Sequence, residues 1–312
     1  MEGRVVISLV APVYGVEKYI GRFAESVLGQ SYPFIQFIFV NDGTKDSSMQ
    51  ILNSLIDDRY SHLKDRIVIV EKENEGLPAA RKTGMEYVTG DYVWHIDSDD
   101  WLEEDAAGRI AECAMKTEAD LIYFNFYKEY DGKTRLQVEN DYSGKPKDVY
   151  QRDMYNHKAY GCTWNKCVKR SLYLDNDIYF PQYSYAEDIC LMAQLVGYAD
   201  KIAFLAAPLY HYRKNNPDSV TRQYRRERCR EAAMNLMSLY CHYGVESNPA
   251  APIIDDVFYK VGFYSAIYDF NFFDRYAFLA DKILEAKILR RSYIWIHLQL
   301  ILKIYAFFRS RR

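Results

Sequence analysis

The sequence contains no CxxC pair and no two histidines at zinc spacing. Its six cysteines, at 113, 162, 167, 190, 229 and 241, therefore offer no zinc site, and free thiols in a reducing setting are expected. Nothing like a secretory leader precedes the first strand-like run, so a cytoplasmic location is expected. There is no internal repeat and no low-complexity tract. Apolar types make 49% and charged types 27% of the chain, which excludes disordered and collagen-like classes. There is no excess of positive charge either. Forty Lys and Arg stand against 43 Asp and Glu, a net charge of −3, so no nucleic-acid partner is expected for the chain as a whole. No apolar run reaches the roughly 20 residues that span a bilayer. Residues 5–20 hold no glycine-rich phosphate loop.

What is present is an aromatic excess, 29 Tyr and 16 Phe, whose apolar rings and polar tips suit packed interiors, sugar clefts and membrane interfaces alike. The 312-residue length fits two domains, or one α/β domain with an extension. Over 1–126 short apolar runs alternate with helix-like segments. Strands are predicted at 5–11, 35–40, 67–70, 92–96 and 121–126. Helices are predicted at 17–29, 47–57, 77–88 and 103–116. This rhythm predicts an α/β fold with a mostly parallel sheet flanked by helices. Ligands of such sheets bind beyond the C-terminal strand ends, so the loops at 12–16, 41–46 and 97–101 are the ones to watch. Residues 127–160 read as an irregular or hairpin insertion with turns at Asp131-Gly132 and Ser143-Gly144. Helices are expected at 163–173, 186–196, 223–243 and 253–289.

The tail 288–312 carries six Lys and Arg and no acid, a charge of +6 against −9 for the remainder. Its apolar run at 293–308 has basic flanks and Trp, Tyr and Phe, which fits a helix lying in a membrane interface. A helix packed on the body of the protein or across a homodimer is the structural alternative.

Asp97-Ser98-Asp99-Asp100 follows a predicted strand. Carboxylates two apart on such a turn can converge on one hard cation, Mg²⁺ or Mn²⁺. The turn could equally be a solvated helix cap. A second DxD-like run, Asp175-Asn176-Asp177, follows a helix-like segment and reads as a surface turn. In the turn after the second strand, Gly43 allows a sharp bend and Asp42 offers an acceptor to a base edge. Pro12-Val13-Tyr14 sets an aromatic ring beside it, able to stack on a base. Arg81, near the start of a helix, could face a phosphate or serve as an ion-pair residue. Glu187-Asp188 opens an apolar helix, where acids are favoured by the macrodipole in any case.

Taken in order, PVYGVEKYI (12–20), SVLGQSYPFIQFIFVNDGTKDSS (26–48) and NEGLPAARKTGMEYVTGDYVWHIDSDDW (74–101) resemble family-2 glycosyltransferases of the GT-A fold. TWNKCVKRSLY (163–173), YAEDICLMAQL (185–195) and PLYHYRKNNPDSVT (208–221) extend the likeness. It covers about 4–222, and the chain resembles the branch that builds bacterial capsular or O-antigen polysaccharides. The resemblance implies a GT-A catalytic domain over 1–221, with a nucleotide-sugar half at about 1–126 and an acceptor half at about 127–221. A helical C-terminal region would follow at 222–312. It further implies a divalent metal, Mn²⁺ or Mg²⁺, on Asp97 and Asp99, with Asp100 a helper. The donor, expected to be a UDP-sugar, would be held by Pro12, Tyr14, Asp42, Arg81 and Asp97, with Asp42 on uracil. Asp188, paired with Glu187, is implied as the catalytic base. His211 is a second possible helper for metal or phosphate, against the alternative of a packed or solvent-facing histidine.

Gly15, Gln36 and Lys82 depart from the family's usual Asn, Glu and Asn. Lys82 adds a charge near the donor phosphates. The expected reaction is inverting sugar transfer to a saccharide acceptor, lipid-linked and at the inner face of the cell membrane. The competing readings are a sugar-1-phosphate nucleotidylyltransferase, which would open with the glycine-rich loop missing here, and a non-catalytic scaffold for polysaccharide assembly.

Overall fold

The computed structural model describes residues 4–216, 225–243 and 248–250. Strand β1 (Ile7–Val13) and β2 (Ile35–Asn41) pair in parallel, flanked by α1 (Ile20–Leu28) and α2 (Ser48–Arg59). After a 3₁₀ turn, β3 (Ile67–Glu71) joins β2, and α3 (Leu77–Met85) leads into β4 (Tyr92–His95) beside β1. These four strands are parallel, as the alternating pattern predicts. The loops at 12–16, 41–46 and 97–101 consequently share one edge of the sheet.

Beyond β4 the sheet becomes mixed. Next come β5 (Trp101–Leu102), α4 (Ala106–Thr117), β6 (Leu121–Tyr130) and β7 (Lys133–Gln137). Then follow α5 (Lys147–Tyr155), β8 (Lys166–Lys169), α6 (Arg170–Leu174), α7 (Glu187–Tyr198), β9 (Ile202–Arg213) and α8 (Arg225–Tyr243). The nine-stranded order is β3-β2-β1-β4-β8-β6-β9-β5, with β7 on β6. β8 runs antiparallel to both β4 and β6, and β9 is parallel to β6.

Both faces of β1, β2 and β4 are buried, which is why these strands read as unbroken apolar runs. In β1, Leu9 and Ala11 join the core under α1, α2 and α4, whereas Val10 joins the core under α3, α5 and α7. Gly84 lets α3 lie close on β1, because a Cβ there would collide with Val10.

Several elements depart from the sequence pattern. Residues 163–173 are not one helix. Val168 and Cys167 bridge β4 and β6, and only 170–174 coil. Tertiary pairing outweighs a short periodic window here. Residues 127–137 form the expected hairpin, with Gly132 at φ 68° in its turn. Residues 147–155 form an unexpected helix, whose buried stripe is only Tyr150, Gln151 and Met154. No element was expected at β9. The readings at 253–289 and 288–312 lie outside the described residues. No helix among the described residues is long and apolar enough to cross a membrane.

Candidate active site

A cleft of about 820 Å³ opens at the C-terminal ends of β1, β2 and β4. Pro12, Tyr14, Asp42, Arg81, Asp97, Asp99, Glu187 and Asp188 all line it. Asp100 and His211 are not among its lining residues.

The turn after β4 is braced from both sides. Ser98 Oγ donates to the Pro12 carbonyl at 2.7 Å, tying it to β1. The Asp97 backbone N–H donates to the Tyr210 hydroxyl oxygen at 3.1 Å. Tyr210 in turn donates to Asp100 Oδ2 at 2.8 Å, and the Arg213 backbone N–H donates to Asp100 Oδ1 at 2.7 Å. Asp100 is therefore a buried strut between the turn and β9, not a helper within the cleft. Burial, then the Asp99 and Asp97 charges, push its carboxyl well above the usual range. Asp99 is held by Asn216, whose Nδ2 donates to Oδ2 at 2.7 Å. Burial and the neighbouring Asp97 raise Asp99 to about 6.

Arg81 reaches this turn from α3. Gly76, at φ 90°, sets up the helix start, and the side chain is almost fully buried. Its Nη2 donates to Asp97 Oδ1 at 2.7 Å and its Nη1 to Glu187 Oε1. Both terminal nitrogens are thus spent on carboxylates, so the ion-pair reading of Arg81 describes its geometry. Burial pulls the guanidinium pKa down, but the Glu187 and Asp97 charges outweigh that and raise it, so Arg81 stays charged. Its Nε is buried without a partner, as are both ring nitrogens of His95 and the Tyr173 hydroxyl.

Ala186, with φ 61°, turns the chain into α7 and places Glu187 and Asp188 in its first turn. Burial raises Glu187 to about 7, against the pull of Arg81. Burial also raises Asp188, opposed by Arg81 and by the Ile189 N–H, which donates to Oδ1 at 2.8 Å. A carboxylate displaced towards neutral pH is suited to accept a proton from an alcohol.

Just past β1, Tyr14 is 54% exposed, so its ring face is open for stacking. Asp42 is more committed than expected. It accepts from Lys72 Nζ at 2.8 Å, Glu75 N–H at 3.1 Å and Gly76 N–H at 2.9 Å. One of its roughly four lone-pair positions is left for a ligand.

His211 sits in β9. Its Nδ1 faces Glu129 Oε1 at 2.7 Å and its Nε2 faces Glu103 Oε1 at 2.8 Å. Its ring stacks between Trp101 and Tyr127. With both nitrogens on carboxylates it is a cross-strand clamp, with no ring nitrogen left for a metal or phosphate.

The structure adds residues that sequence reasoning passed over. Lys166 is buried, and its Nζ donates to the Tyr160 carbonyl at 2.6 Å, the Cys162 carbonyl at 2.9 Å and Asn165 Oδ1 at 2.7 Å. It holds the cleft wall at 160–165. A lysine inside the otherwise neutral run TWNKCV was the only available signal. Asn216, the partner of Asp99, was legible only as part of a loop.

No group of three His, Cys, Asp or Glu among the described residues could hold a metal unaided. The donor set still fits a hard cation. Asp97 and Asp99 present carboxylates to the cleft, and Mg²⁺ or Mn²⁺ commonly takes one or two carboxylates and completes its shell with substrate phosphates and water.

Residues 8–175 match the profile of Glycosyl transferase family 2. The chain belongs to that family. It is 32% identical over 213 residues to the putative glycosyltransferase EpsH of Bacillus subtilis strain 168, an overlap of 66% of this chain and 60% of EpsH. The chain thus spans about three-fifths of that relative. S. aureus TarS 1–349, crystallised with UDP-GlcNAc, superposes with a TM-score of 0.65 at 19% identity, covering 94% of this chain and 79% of TarS 1–349. The Pyrobaculum calidifontis mannosyltransferase PcManGT, in complex with GDP-Man and Mn²⁺, gives a TM-score of 0.56 at 16% identity over 97% and 86% of the two chains. These likenesses establish a GT-A-like fold for this family-2 chain.

Proposed function

We propose that this family-2 chain is an inverting, metal-dependent glycosyltransferase. It moves a sugar from a nucleotide-diphosphate donor, a UDP-sugar, to a lipid-linked saccharide during synthesis of a bacterial surface polysaccharide. The single observation that carries the reading is the convergence of Asp97, Asp99 and Asp188 on one cleft, with Arg81 joining the turn of Asp97 to the helix start of Asp188. The name of EpsH supports glycosyl transfer, and the UDP-GlcNAc complex of TarS supports a nucleotide-sugar donor.

Asp97 and Asp99 would hold Mn²⁺ or Mg²⁺, which neutralises charge developing on a leaving nucleoside diphosphate. Tyr14 offers its exposed face to the base. Arg81 fixes the Asp97 carboxylate and the first turn of α7, so that the groups on the donor and acceptor sides keep one spacing. Asp188 takes the proton of the acceptor hydroxyl as that oxygen attacks the anomeric carbon. Attack opposite the leaving group inverts the configuration, so an α-linked donor yields a β-linked product. A location on the cytoplasmic face of the membrane, through 288–312, belongs to the same proposal.

The test is a panel of UDP-, GDP- and dTDP-sugars with Mn²⁺, scored by nucleotide release with and without oligosaccharide acceptors. Acceptor-stimulated release from a UDP-sugar is expected. Release of pyrophosphate from a nucleoside triphosphate and a sugar 1-phosphate would favour the nucleotidylyltransferase. No turnover and no nucleotide binding would favour the scaffold.

A further inference from the structure

The approach to α7 is held by α8. Asn235, fully buried on α8, makes four hydrogen bonds to the segment 182–185. Its Oδ1 accepts from the Gln182 N–H at 3.2 Å and the Tyr183 N–H at 2.9 Å. Its Nδ2 donates to the Tyr183 carbonyl at 2.7 Å and the Tyr185 carbonyl at 3.0 Å. One turn earlier on α8, Glu231 Oε2 accepts from the Tyr185 N–H at 2.8 Å. A stretch outside any helix or strand thus finds partners for its backbone groups in two side chains. The beginning of the stretch is held by α7 itself. Gln194 Oε1 accepts from the Tyr179 N–H at 2.8 Å, and Gln194 Nε2 donates to the Tyr179 carbonyl at 2.9 Å.

Ser184, Tyr185 and Ala186 line the cleft, as do Ala232 and Leu236 of α8. Asn235 and Glu231 do not, so they act on the cleft only through the segment they hold. Ser184 Oγ sits against Gly76, 3.4 Å from where a Cβ would stand, and Gly76 belongs to the loop that Asp42 holds. The segment ends at Ala186, whose φ of 61° is one an L side chain rarely adopts. Such a conformation persists where the surrounding structure over-determines it. After Ala186 the chain enters α7 at once, with Glu187 and Asp188. Before it, Asn235 and Glu231 fix the backbone up to Tyr185.

We propose that Asn235 and Glu231 are positioning residues for Asp188: by clamping 182–185 they set the left-handed turn at Ala186 and so the place of the Asp188 carboxylate in the cleft. The proposal rests on the glycosyltransferase reading of the cleft and adds that α8 is a working part of the site.

The test reads the clamp and its consequence separately, on the full chain. Hydrogen exchange with mass spectrometry follows the peptide 179–188. Asn235→Ala should speed exchange there and leave β1 and β4 as in the wild type. With the UDP-sugar that turns over in the donor panel, the same variant should lower kcat at least about tenfold, since misplacing a reacting group by about 1 Å can cost about 10²-fold. UDP affinity, measured by calorimetry, should hold. Glu231→Ala should act in the same direction, whereas Glu231→Gln keeps an acceptor for the Tyr185 N–H and should retain both protection and kcat. The clamp is refuted if 179–188 stays protected in Asn235→Ala, or if it opens while kcat holds. It is also refuted if UDP affinity falls along with kcat, the mark of a general loss of fold. If Asn235→Ala does not fold, the two Glu231 variants decide by the same criteria. Failure of the glycosyltransferase reading shows separately, as a wild-type protein with 179–188 protected and no nucleotide release in the donor panel.

Discussion

Arg81 Nη2 lies 2.7 Å from Asp97 Oδ1, a buried guanidinium closing on the first carboxylate of the turn after β4. The same guanidinium bonds Glu187, 106 residues further along the chain. One side chain from α3 therefore couples the turn after β4 to the first turn of α7.

Removing that fork should cost both structure and chemistry. Arg81→Met leaves Asp97 and Glu187 without their shared cation, and breaking a buried pair in this way typically costs about 3–5 kcal/mol. Arg81→Lys keeps the charge but cannot bond both carboxylates as a fork, so an intermediate loss is expected. Urea denaturation checks this. An unchanged midpoint for the Met variant would show that the fork holds nothing.

Turnover should require Mn²⁺ or Mg²⁺. Asp97→Ala and Asp99→Ala should each abolish it while circular dichroism stays native, since both carboxylates face the cleft. Full activity of the purified protein in excess chelator would reject the metal assignment.

Asp188→Asn should lower turnover by at least about 10², the scale of lost general-base catalysis, with little change in donor affinity. Only the ionised carboxylate accepts a proton, and burial raises the Asp188 pKa. The acid limb of the kcat/KM profile should therefore sit above the ordinary aspartate range, with activity falling as pH drops through it. A variant with lost UDP affinity and near-normal turnover would move Asp188 to the donor side.

UDP should bind more tightly than GDP. Tyr14→Ala should weaken UDP roughly 2- to 12-fold, the range of an aromatic stacking contact of about 0.5–1.5 kcal/mol. Calorimetry decides. Tighter GDP binding would overturn the uracil assignment of Asp42, whose carboxylate is already holding the 72–76 loop.

Deleting 288–312 should release the protein from anionic vesicles and leave UDP binding intact. Each basic residue near such a surface contributes about 1 kcal/mol, and the segment carries six. Transfer to lipid-linked acceptors should slow more than transfer to short soluble ones. Equal co-sedimentation of the truncated and full chains would instead point to a helix packed on the body or across a dimer.

The order of apolar runs and turns along the chain was enough to bring the candidate residues to one sheet edge. Apolar runs at 5–11, 35–40 and 92–96 read as buried strands, and the structure forms them at 7–13, 35–41 and 92–95. The turns that follow them therefore had to meet at one sheet edge, which brings Tyr14, Asp42, Asp97 and Asp99 together. Period and turn chemistry record local backbone state, and that much is legible without partners. Partner choice is a different matter. The fork of Arg81, the turning of Asp100 into the core and the clamping of His211 between Glu103 and Glu129 all join residues more than 80 positions apart. The same holds for β8, a strand because β4 and β6 leave it a place between them. Hydrogen-bonding and charged side chains of one type look alike in sequence whether they face a ligand or a neighbour. Only the packed tertiary structure, in which each buried polar group must find a partner, decided which of them remain for substrate.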